Sequence, residues 1–330
     1  YFHPIGEQPP ALQERDHFWP SGATRSRDYP MCDRSRIIGS RRSGAVYRLR
    51  GQSAEGRGAA KLNFTILGGT GFVGSHVARY LTGLGHTALV PDRSQSLVDA
   101  CNGAHVIYAI GLTADFRERP FDTIEAHVSV AADLLRQADF KSFLYLSSTR
   151  VYVRSSDTSE DRSLSVLPED PSDLYNISKL AGEAVCLASG RTNVRIARLS
   201  NVVGPQTAAT ESFAGALCRE GASGHIQLKT DLNSSKDYIW IDDVAALLLR
   251  ISLAGRHKIY NVASGMQISH AQWISAISTQ TGCSFSVDDN APMSSFPPIA
   301  TSRIREEFDF HPQPVLQRIS TILEHSSATF

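Results

Sequence analysis

Short apolar runs separated by amphipathic or polar stretches mark the chain from residue 61 onward. The runs are β-prone and almost free of charge, as strands buried on both faces of a parallel sheet are. They lie at 62–67, 87–90, 105–111 and 143–146. The stretch after the first run has the apolar spacing of an amphipathic helix, so the pattern predicts a parallel α/β sheet.

A glycine-rich turn joins the first predicted strand to that helix. Gly68, Gly71 and Gly74 allow the backbone to turn sharply and to approach a pyrophosphate, which then faces the free N–H groups of the helix N-terminus. The context of strand, turn and helix favours a dinucleotide site over a plain glycine-rich turn. The cofactor-binding candidates in this turn are Gly68, Thr70, Gly71, Phe72, Val73 and Gly74.

An acidic residue, Asp92, follows the second predicted strand, about 20 positions after the glycines. Its carboxylate can accept both ribose hydroxyls of adenosine and would repel a 2′-phosphate, so it favours NAD. Arg93 beside it can instead hold a 2′-phosphate, which leaves NADP open, and a solvated turn is the alternative role for Asp92. Only eleven residues separate Arg93 from the third strand, so an additional strand does not fit there.

A serine, a tyrosine and a lysine occur in that order further along the chain. The fourth predicted strand ends at Ser147 and Ser148, and a later helical segment carries Tyr175 and Lys179 on one face at i and i+4. Tyrosine, with a pKa near 10, is a poor base, and a nearby ammonium lowers that pKa. The pattern predicts acid/base chemistry, with a buried tyrosine beside a snorkelling lysine as the alternative.

Composition and charge exclude several other classes of protein. Lys plus Arg and Asp plus Glu both number 33, so no overall basic charge favours nucleic acid. No apolar stretch approaches 18 residues, so we expect no membrane span. The five cysteines and eleven histidines form no metal-binding or disulfide pattern, so we expect no metal site and a cytoplasmic location.

Residues 1–60 have a different composition from the rest of the chain. They contain ten Arg, no Lys and six acidic residues, are rich in Gly, Pro and Ser, and show no periodicity. We expect a disordered or non-native N-terminal extension. An Arg-rich contact for an anionic partner and an organelle transit peptide are the functional alternatives.

The order of these motifs resembles the extended short-chain dehydrogenase/reductase family. The similarity is strongest to its NAD-dependent nucleotide-sugar epimerase/dehydratase group, including UDP-glucose/galactose 4-epimerase-like proteins, and covers about residues 61–325. Besides the glycine turn, Ser148, Tyr175 and Lys179, the segments that carry it are 151–152, 198–205, 236–244 and 260–265. The resemblance implies an α/β fold, a doubly wound parallel (Rossmann) sheet with a smaller C-terminal α/β substrate lobe.

The resemblance also implies a division of the chain. The dinucleotide-binding domain would comprise 61–205, with 236–262 returning to it, and the substrate lobe would comprise 206–235 and 263–330. The active site would lie between them at the carboxyl ends of the strands. A homodimer through helices near Tyr175 is a further implication.

The family roles can be carried over to matching positions of this chain. Tyr175 would be the acid/base, Lys179 would tune it and contact the nicotinamide ribose, and Ser148 would orient the substrate oxygen. The further cofactor contacts implied are Asp92, Arg93, Ala109, Ile110, Gly111, Ser147 and Leu199. The substrate contacts implied are Thr113, Ser148, Thr149, Asn201 and Lys236.

The chain departs from the family pattern at several places. Lys236 stands where an Arg is frequent, His127 where an Asn is usual, and 290–298 lacks the Arg-Pro-Gly-Asp-like segment that helps to hold the nucleotide diphosphate. Thr149 and Arg150 replace the Asp-Glu pair of sugar 4,6-dehydratases, and the decarboxylase branch has Glu at the position of Arg150.

These departures leave 4-epimerisation or reduction of a keto-sugar. Of the two, 4-epimerisation of a nucleotide-activated sugar is the expected reaction, with NAD as cofactor and Tyr175 as acid/base. The alternatives are an NAD(P)H-dependent keto-sugar reductase or dehydrogenase and, from another class, a non-catalytic dinucleotide-sensing protein. The expected partner is a small-molecule substrate, a nucleotide sugar.

Overall fold

The computed structural model describes residues 60–92 and 94–326. The expectations for the N-terminal extension, apart from residue 60, and for Arg93 lie outside the described residues.

Eleven strands and ten α-helices are formed by the described residues. The strands are β1 (Asn63–Leu67), β2 (Thr87–Leu89), β3 (His105–Tyr108), β4 (Ser142–Ser148), β5 (Val194–Leu199), β6 (Asn201–Val203), β7 (His225–Leu228), β8 (Ser235–Trp240), β9 (Ile259–Val262), β10 (Gln267–Ser269) and β11 (Ser284–Val287). The helices are α1 (Phe72–Gly83), α2 (Leu97–Cys101), α3 (Pro120–Ile124), α4 (Val130–Gln137), α5 (Asp173–Ala188), α6 (Phe213–Ala222), α7 (Ile241–Ala254), α8 (His270–Thr281), α9 (Ser302–Phe308) and α10 (Ile319–Ser326).

Six parallel strands form the central sheet in the order β2-β1-β3-β4-β5-β9. The chain moves outward from β1 to β2 and then crosses back to β3, so the order reverses beside β1. This is the doubly wound arrangement expected from the sequence, with its switch point at the glycine turn. The short helix α2 makes the crossover from β2 to β3, which accounts for the few residues between them.

Two apolar layers cover this sheet. Helices α1 and α7 bury Val77, Leu81 and Leu248 against one face of the sheet. Helices α4 and α5 bury Leu134 and Cys186 against the other. Because both faces are covered, β4 has no solvent-facing side chains along most of its length.

A smaller lobe has its own core and its own sheets. Strands β10, β8 and β6 form a three-stranded sheet, and β11 pairs with β7. Trp240 and Trp273 are fully buried in this core among side chains from α6, α8 and α10. From β8 the chain returns to the central sheet through α7 and β9.

No helix among the described residues is both long enough and apolar enough to cross a membrane.

Candidate active site

A cleft with a cavity volume of about 570 Å³ runs along the carboxyl ends of the central strands. Its walls are the turn after β1, the loop after β3, the end of β4, helix α5, strands β6 and β8, and the start of α6. The cleft therefore lies where the central sheet meets the smaller lobe, which is where a doubly wound sheet places its ligands.

Most of the predicted site residues line this cleft, although they come from separate parts of the chain. They are Gly68, Gly71, Phe72, Val73, Gly74, Ala109, Ile110, Gly111, Thr113, Ser147, Ser148, Thr149, Tyr175, Lys179, Leu199, Asn201 and Lys236. Thr70 is exposed at the turn and does not line the cleft. Asp92 is also exposed, and its carboxylate accepts hydrogen bonds from the amide and hydroxyl of Ser94. These contacts lower the pKa of Asp92.

The glycine turn leaves room for a ligand at the N-terminus of α1. Gly68 has a φ of +81°, and a Cβ there would lie 2.5 Å from the carbonyl oxygen of Ala109. A Cβ on Gly74 would collide with the carbonyl of Gly68. Gly71 caps α1 without a side-chain hydrogen bond, so the first N–H groups of the helix have no side-chain partner. The turn therefore fits the pyrophosphate of a dinucleotide.

Tyr175 lies in the first turn of α5 with its side chain almost fully enclosed. Its ring packs 5.5 Å from the Phe116 ring and, edge-on, 5.4 Å from the His127 ring, measured between centroids. Burial raises the pKa of Tyr175, whereas the hydroxyl of Ser148 and the positive charge of Arg150 lower it. Two of its neighbours thus favour the phenolate against the cost of burial.

Lys179 is one turn further along α5 on the same cleft. Its Nζ donates a hydrogen bond of 3.0 Å to the carbonyl oxygen of Leu146, at the end of β4. Burial lowers the pKa of Lys179 to about 7, with the nearby Glu183 acting in the opposite direction. The amine therefore gives up its proton more readily than that of an exposed lysine.

His127 lies beneath the loop after β3. Its Nε2 accepts a hydrogen bond of 3.2 Å from the amide of Leu112, and its Nδ1 lies 2.8 Å from the hydroxyl of Ser178. That hydroxyl donates to the carbonyl of Tyr175, so Nδ1 carries the proton and donates to Ser178. Burial and the charge of Lys179 lower the pKa of His127 to about 3, which keeps the ring neutral.

A π-helical segment, Glu125–Ser129, carries His127 between α3 and α4. The hydroxyls of Tyr108 and Tyr145 donate to the carbonyls of Ala126 and His127, at 2.6 and 2.8 Å. These bonds satisfy carbonyls within the wider turn. The segment is thereby tied to strands β3 and β4 of the central sheet.

The end of β4 presents two neighbouring groups to the cleft. Ser148 caps a 3-10 turn, Thr149–Tyr152, by accepting a hydrogen bond of 3.2 Å from the amide of Arg150. This turn aims the Arg150 side chain at Tyr175, with 5.6 Å between the guanidinium carbon and the centre of the phenol ring.

Strands β6 and β8 supply the far wall of the cleft. Asn201 donates a hydrogen bond of 2.8 Å to the carbonyl of Asp237, which joins the two strands. The amine of Lys236 lies 5.6 and 5.5 Å from the ring centres of Phe213 and Phe296. Burial and the charge of Arg150 lower the pKa of Lys236.

Several lining residues were not singled out as site residues by the sequence. Arg150 was noted only as a departure from relatives, although its place beside Ser148 was a usable signal. Glu211, Phe213, Phe296 and Ile299 also line the cleft. They come from loops and helix starts that carry no local motif, so no sequence signal identified them.

Among the described residues no group of three or more His, Cys, Asp or Glu side chains is placed to hold a metal ion.

The doubly wound sheet, its glycine turn and the cleft with Tyr175 and Lys179 define an enzyme that uses NAD or NADP. The model of the NAD dependent epimerase/dehydratase family matches residues 64–263, and this chain belongs to that family. The family, the fold, the enzyme class and the NAD(P) cofactor inferred from the sequence are confirmed.

Individual relatives show how wide the family is. GDP-6-deoxy-D-mannose reductase of Pseudomonas aeruginosa is 29% identical over 234 residues, which cover 61% of this chain and 74% of that protein. GDP-mannose 3,5-epimerase 1 of Oryza sativa subsp. indica is 24% identical over 251 residues, covering 63% of this chain and 66% of that protein. The structure of RMD from Pseudomonas aeruginosa complexed with NADPH is similar with a TM-score of 0.68 and 25% identity, over 82% of this chain and 100% of that chain. The family to which this chain belongs therefore includes nucleotide-sugar epimerases, dehydratases and reductases.

Proposed function

We propose that this protein transfers a hydride between a nicotinamide dinucleotide and a carbon of a nucleotide-activated sugar, with 4-epimerisation as the net reaction. The observation that carries this proposal is the enclosed Tyr175 phenol, which shares one cleft with Ser148, Lys179 and the glycine turn. The relatives named for GDP-sugars support the substrate class.

The chain's own residues handle the proton of the reaction. The Tyr175 phenolate accepts the proton of the sugar hydroxyl, and Ser148 orients that hydroxyl by hydrogen bonding. The bound dinucleotide supplies the chemistry of accepting the hydride from the same carbon and returning it. Tyr175 would then give its proton back to the sugar oxygen, and a sugar that had turned over between the two proton transfers would leave with the opposite configuration at that carbon.

The surroundings of Tyr175 and Lys179 support this assignment. Lys179 is held against the carbonyl of Leu146, close to where the glycine turn would seat the cofactor. His127 fixes the loop after β3 and, through Ser178, the backbone carbonyl of Tyr175. The acid/base is therefore held in place before substrate arrives, which lowers the entropic cost of the reaction.

We further propose NAD rather than NADP as the cofactor. Asp92 follows β2 with an exposed carboxylate that Ser94 holds in its ionised form. A negative charge at this position repels the 2′-phosphate of NADP. Titration calorimetry with both oxidised dinucleotides tests this preference, and tighter binding of NADP would contradict it.

The substitution Tyr175→Phe tests the proposed function. The variant should bind NAD with an affinity close to that of the wild type and should lose at least about 100-fold in turnover, since general acid/base catalysis contributes about 100- to 10,000-fold. Turnover near that of the wild type would remove Tyr175 from the mechanism.

The relationship to GDP-6-deoxy-D-mannose reductase supports keto-sugar reduction as a second candidate function. Mass spectrometry of the small molecule released by the acid-quenched, purified protein separates the two. Near-stoichiometric dinucleotide indicates a cofactor recycled within one active site and supports the epimerase. A protein that releases none has an exchangeable cofactor, which favours the reductase.

Two properties outside the cleft are also proposed. The free, buried cysteines of the described residues suit a reducing compartment such as the cytoplasm.

A homodimer is proposed through the helices near Tyr175, where Leu187 on α5 is 45% exposed and Phe121 on α3 is 87% exposed. Light scattering coupled to size-exclusion chromatography would give the mass of a monomer if this is wrong.

A further inference from the structure

Three basic side chains line the cleft: Lys179 has Glu183 nearby, whereas Arg150 and Lys236 have no carboxylate of the lining to balance them. The acidic residues of the lining are Asp237 and Glu211, and each has other partners. Asp237 accepts hydrogen bonds from the amide and hydroxyl of Ser264, and Glu211 pairs with Arg219 at 3.6 Å. The charges of Arg150 and Lys236 therefore remain for a ligand.

Arg150 is the cation closest to the proposed chemistry. Its guanidinium lies beside the packed rings of Phe116 and Tyr175, at 5.5 and 5.6 Å from their centres. One terminal nitrogen donates a bond of 3.3 Å to the carbonyl of Ser172, whereas Nε is buried and has no hydrogen-bond partner. A buried guanidinium N–H without an acceptor is costly, and because Arg150 also lines the cleft, an anion bound there would balance its positive charge.

The nearby carboxylates do not supply that anion. Asp170 and Asp173 act on Arg150 from a distance, but both are engaged by Arg154, at 2.7 and 2.9 Å. The neighbouring Arg117 adds further positive charge. Both carboxylates are thus already paired, and the charge of Arg150 remains for another anion.

Arg150 and Lys236 are close enough for the charge of Arg150 to lower the pKa of Lys236, but the two side chains lie against different aromatic rings. Lys236 stands on the far wall between Phe213 and Phe296, where the resemblance expects a contact to the substrate phosphate. Arg150 instead contacts the phenol that takes the proton from the sugar. An anion bound to Arg150 would therefore lie beside Tyr175, where the proposed function places the sugar ring.

We propose that the sugar bears a carboxylate on the ring carbon next to the one that is oxidised, and that Arg150 binds this carboxylate. The inference rests on the proposed function and narrows its substrate class to nucleotide-activated uronic acids. The planar guanidinium suits a carboxylate, because two N–H groups can donate to its two oxygens. Arg150 is thereby a specificity-determining residue.

Binding to matched pairs of ligands tests this proposal without requiring turnover. The probes are UDP-glucuronate against UDP-glucose and GDP-mannuronate against GDP-mannose, with UDP and GDP alone, each titrated calorimetrically in saturating NAD. The wild type should bind the uronate of the recognised pair at least about tenfold more tightly, as a charge-assisted hydrogen bond provides.

The variants assign that preference to one side chain. Arg150→Gln should lose about 10- to 100-fold in uronate affinity while its affinity for the neutral sugar and the free nucleotide changes less than about threefold. Arg150→Lys should keep part of the preference, because it keeps the charge. Arg117→Gln is the matched control, since this exposed arginine bonds Ser172 on the same side but does not line the cleft. It should keep the full preference.

Three results would overturn the proposal. Equal affinity for uronate and neutral sugar in both pairs would exclude a carboxylate site. If Arg150→Gln loses the same affinity for the uronate, the neutral sugar and the free nucleotide, Arg150 binds the diphosphate of the nucleotide and not a carboxylate on the sugar. If the wild type binds no nucleotide sugar at all, the proposed function fails together with this inference. A melting curve for each variant shows whether it is folded. If Arg150→Gln does not fold, the uronate preference of Arg150→Lys tests the proposal instead.

Discussion

The amine of Lys179 lies 5.9 Å from the centre of the Tyr175 ring and donates its hydrogen bond to the carbonyl of Leu146. The two residues thus share one helix face, as their spacing predicts, but the lysine is bonded to the end of β4. The guanidinium of Arg150 lies at a similar distance from the phenol, 5.6 Å, and lowers its pKa. The electrostatics of the Tyr175 phenol therefore depend on a residue from a different element.

This arrangement predicts how the activity of an Arg150 variant depends on pH. Because the charge of Arg150 lowers the pKa of Tyr175, Arg150→Gln should raise that pKa. The rising limb of kcat/KM against pH should then move to higher pH, measured on whichever sugar both proteins turn over. Ser148→Ala should shift the limb in the same direction, since the Ser148 hydroxyl also lowers the pKa. A limb that stays in place would show that Arg150 does not act on the phenol.

The lowered pKa of Lys179 predicts that the free energy of unfolding depends on pH. Its pKa is lowered from 10.5 to about 7 on folding, so between these values the unfolded chain binds more protons than the folded one. The contribution of Lys179 to the free energy of unfolding should therefore rise with pH, by at most about 1.4 kcal/mol per pH unit. The measurement is urea unfolding of the wild type and of Lys179→Met from pH 7.5 to 9.5. The free energy of unfolding of the wild type should rise relative to that of Lys179→Met as the pH rises. A difference that stays constant over this range would contradict the lowered pKa of Lys179.

His127 predicts a link between the loop after β3 and cofactor affinity. His127→Phe keeps an aromatic ring but leaves the amide of Leu112 without its acceptor, which should cost about 1–3 kcal/mol of stability. NAD binding should weaken as well, because Gly111 of that loop lines the cleft. Urea unfolding and NAD calorimetry measure the two effects.

The matched control for His127 is His105→Phe. His105 also bonds a serine, Ser142, at 2.8 Å, but it lies at the start of β3, away from the cleft. This variant should leave NAD affinity unchanged. Equal effects of both variants on NAD binding would argue against a specific role for His127.

Two glycines of α1 predict opposite effects of the same substitution. Gly74→Ala places a methyl group against the carbonyl of Gly68, so it should weaken NAD binding and destabilise the fold by at least about 1 kcal/mol. Gly83→Ala, at the other end of the helix, meets open space and should stabilise the protein by about 0.5–1 kcal/mol. Thermal melts with and without NAD measure both. Normal NAD binding by Gly74→Ala would show that the turn does not cradle the cofactor.

Features that depend on neighbours along the chain could be predicted from the sequence. Backbone conformation and i,i+4 spacing are local properties, so the turn from Gly68 to Gly74 and the shared face of Tyr175 and Lys179 were readable without coordinates. The buried apolar runs likewise indicated the parallel sheet, because strands covered on both faces must be apolar throughout.

Tertiary structure alone decided which distant side chains surround those local features. Arg150 reaches Tyr175 because a 3-10 turn after β4 aims it there, and His127 reaches Leu112 and Ser178 from a π-helical segment that no sequence pattern indicated. Lys236 lies between two phenylalanines that come from separate segments of the chain. Such contacts depend on how whole elements pack against each other, and that packing sets the charge, the burial and hence the proposed specificity of the site.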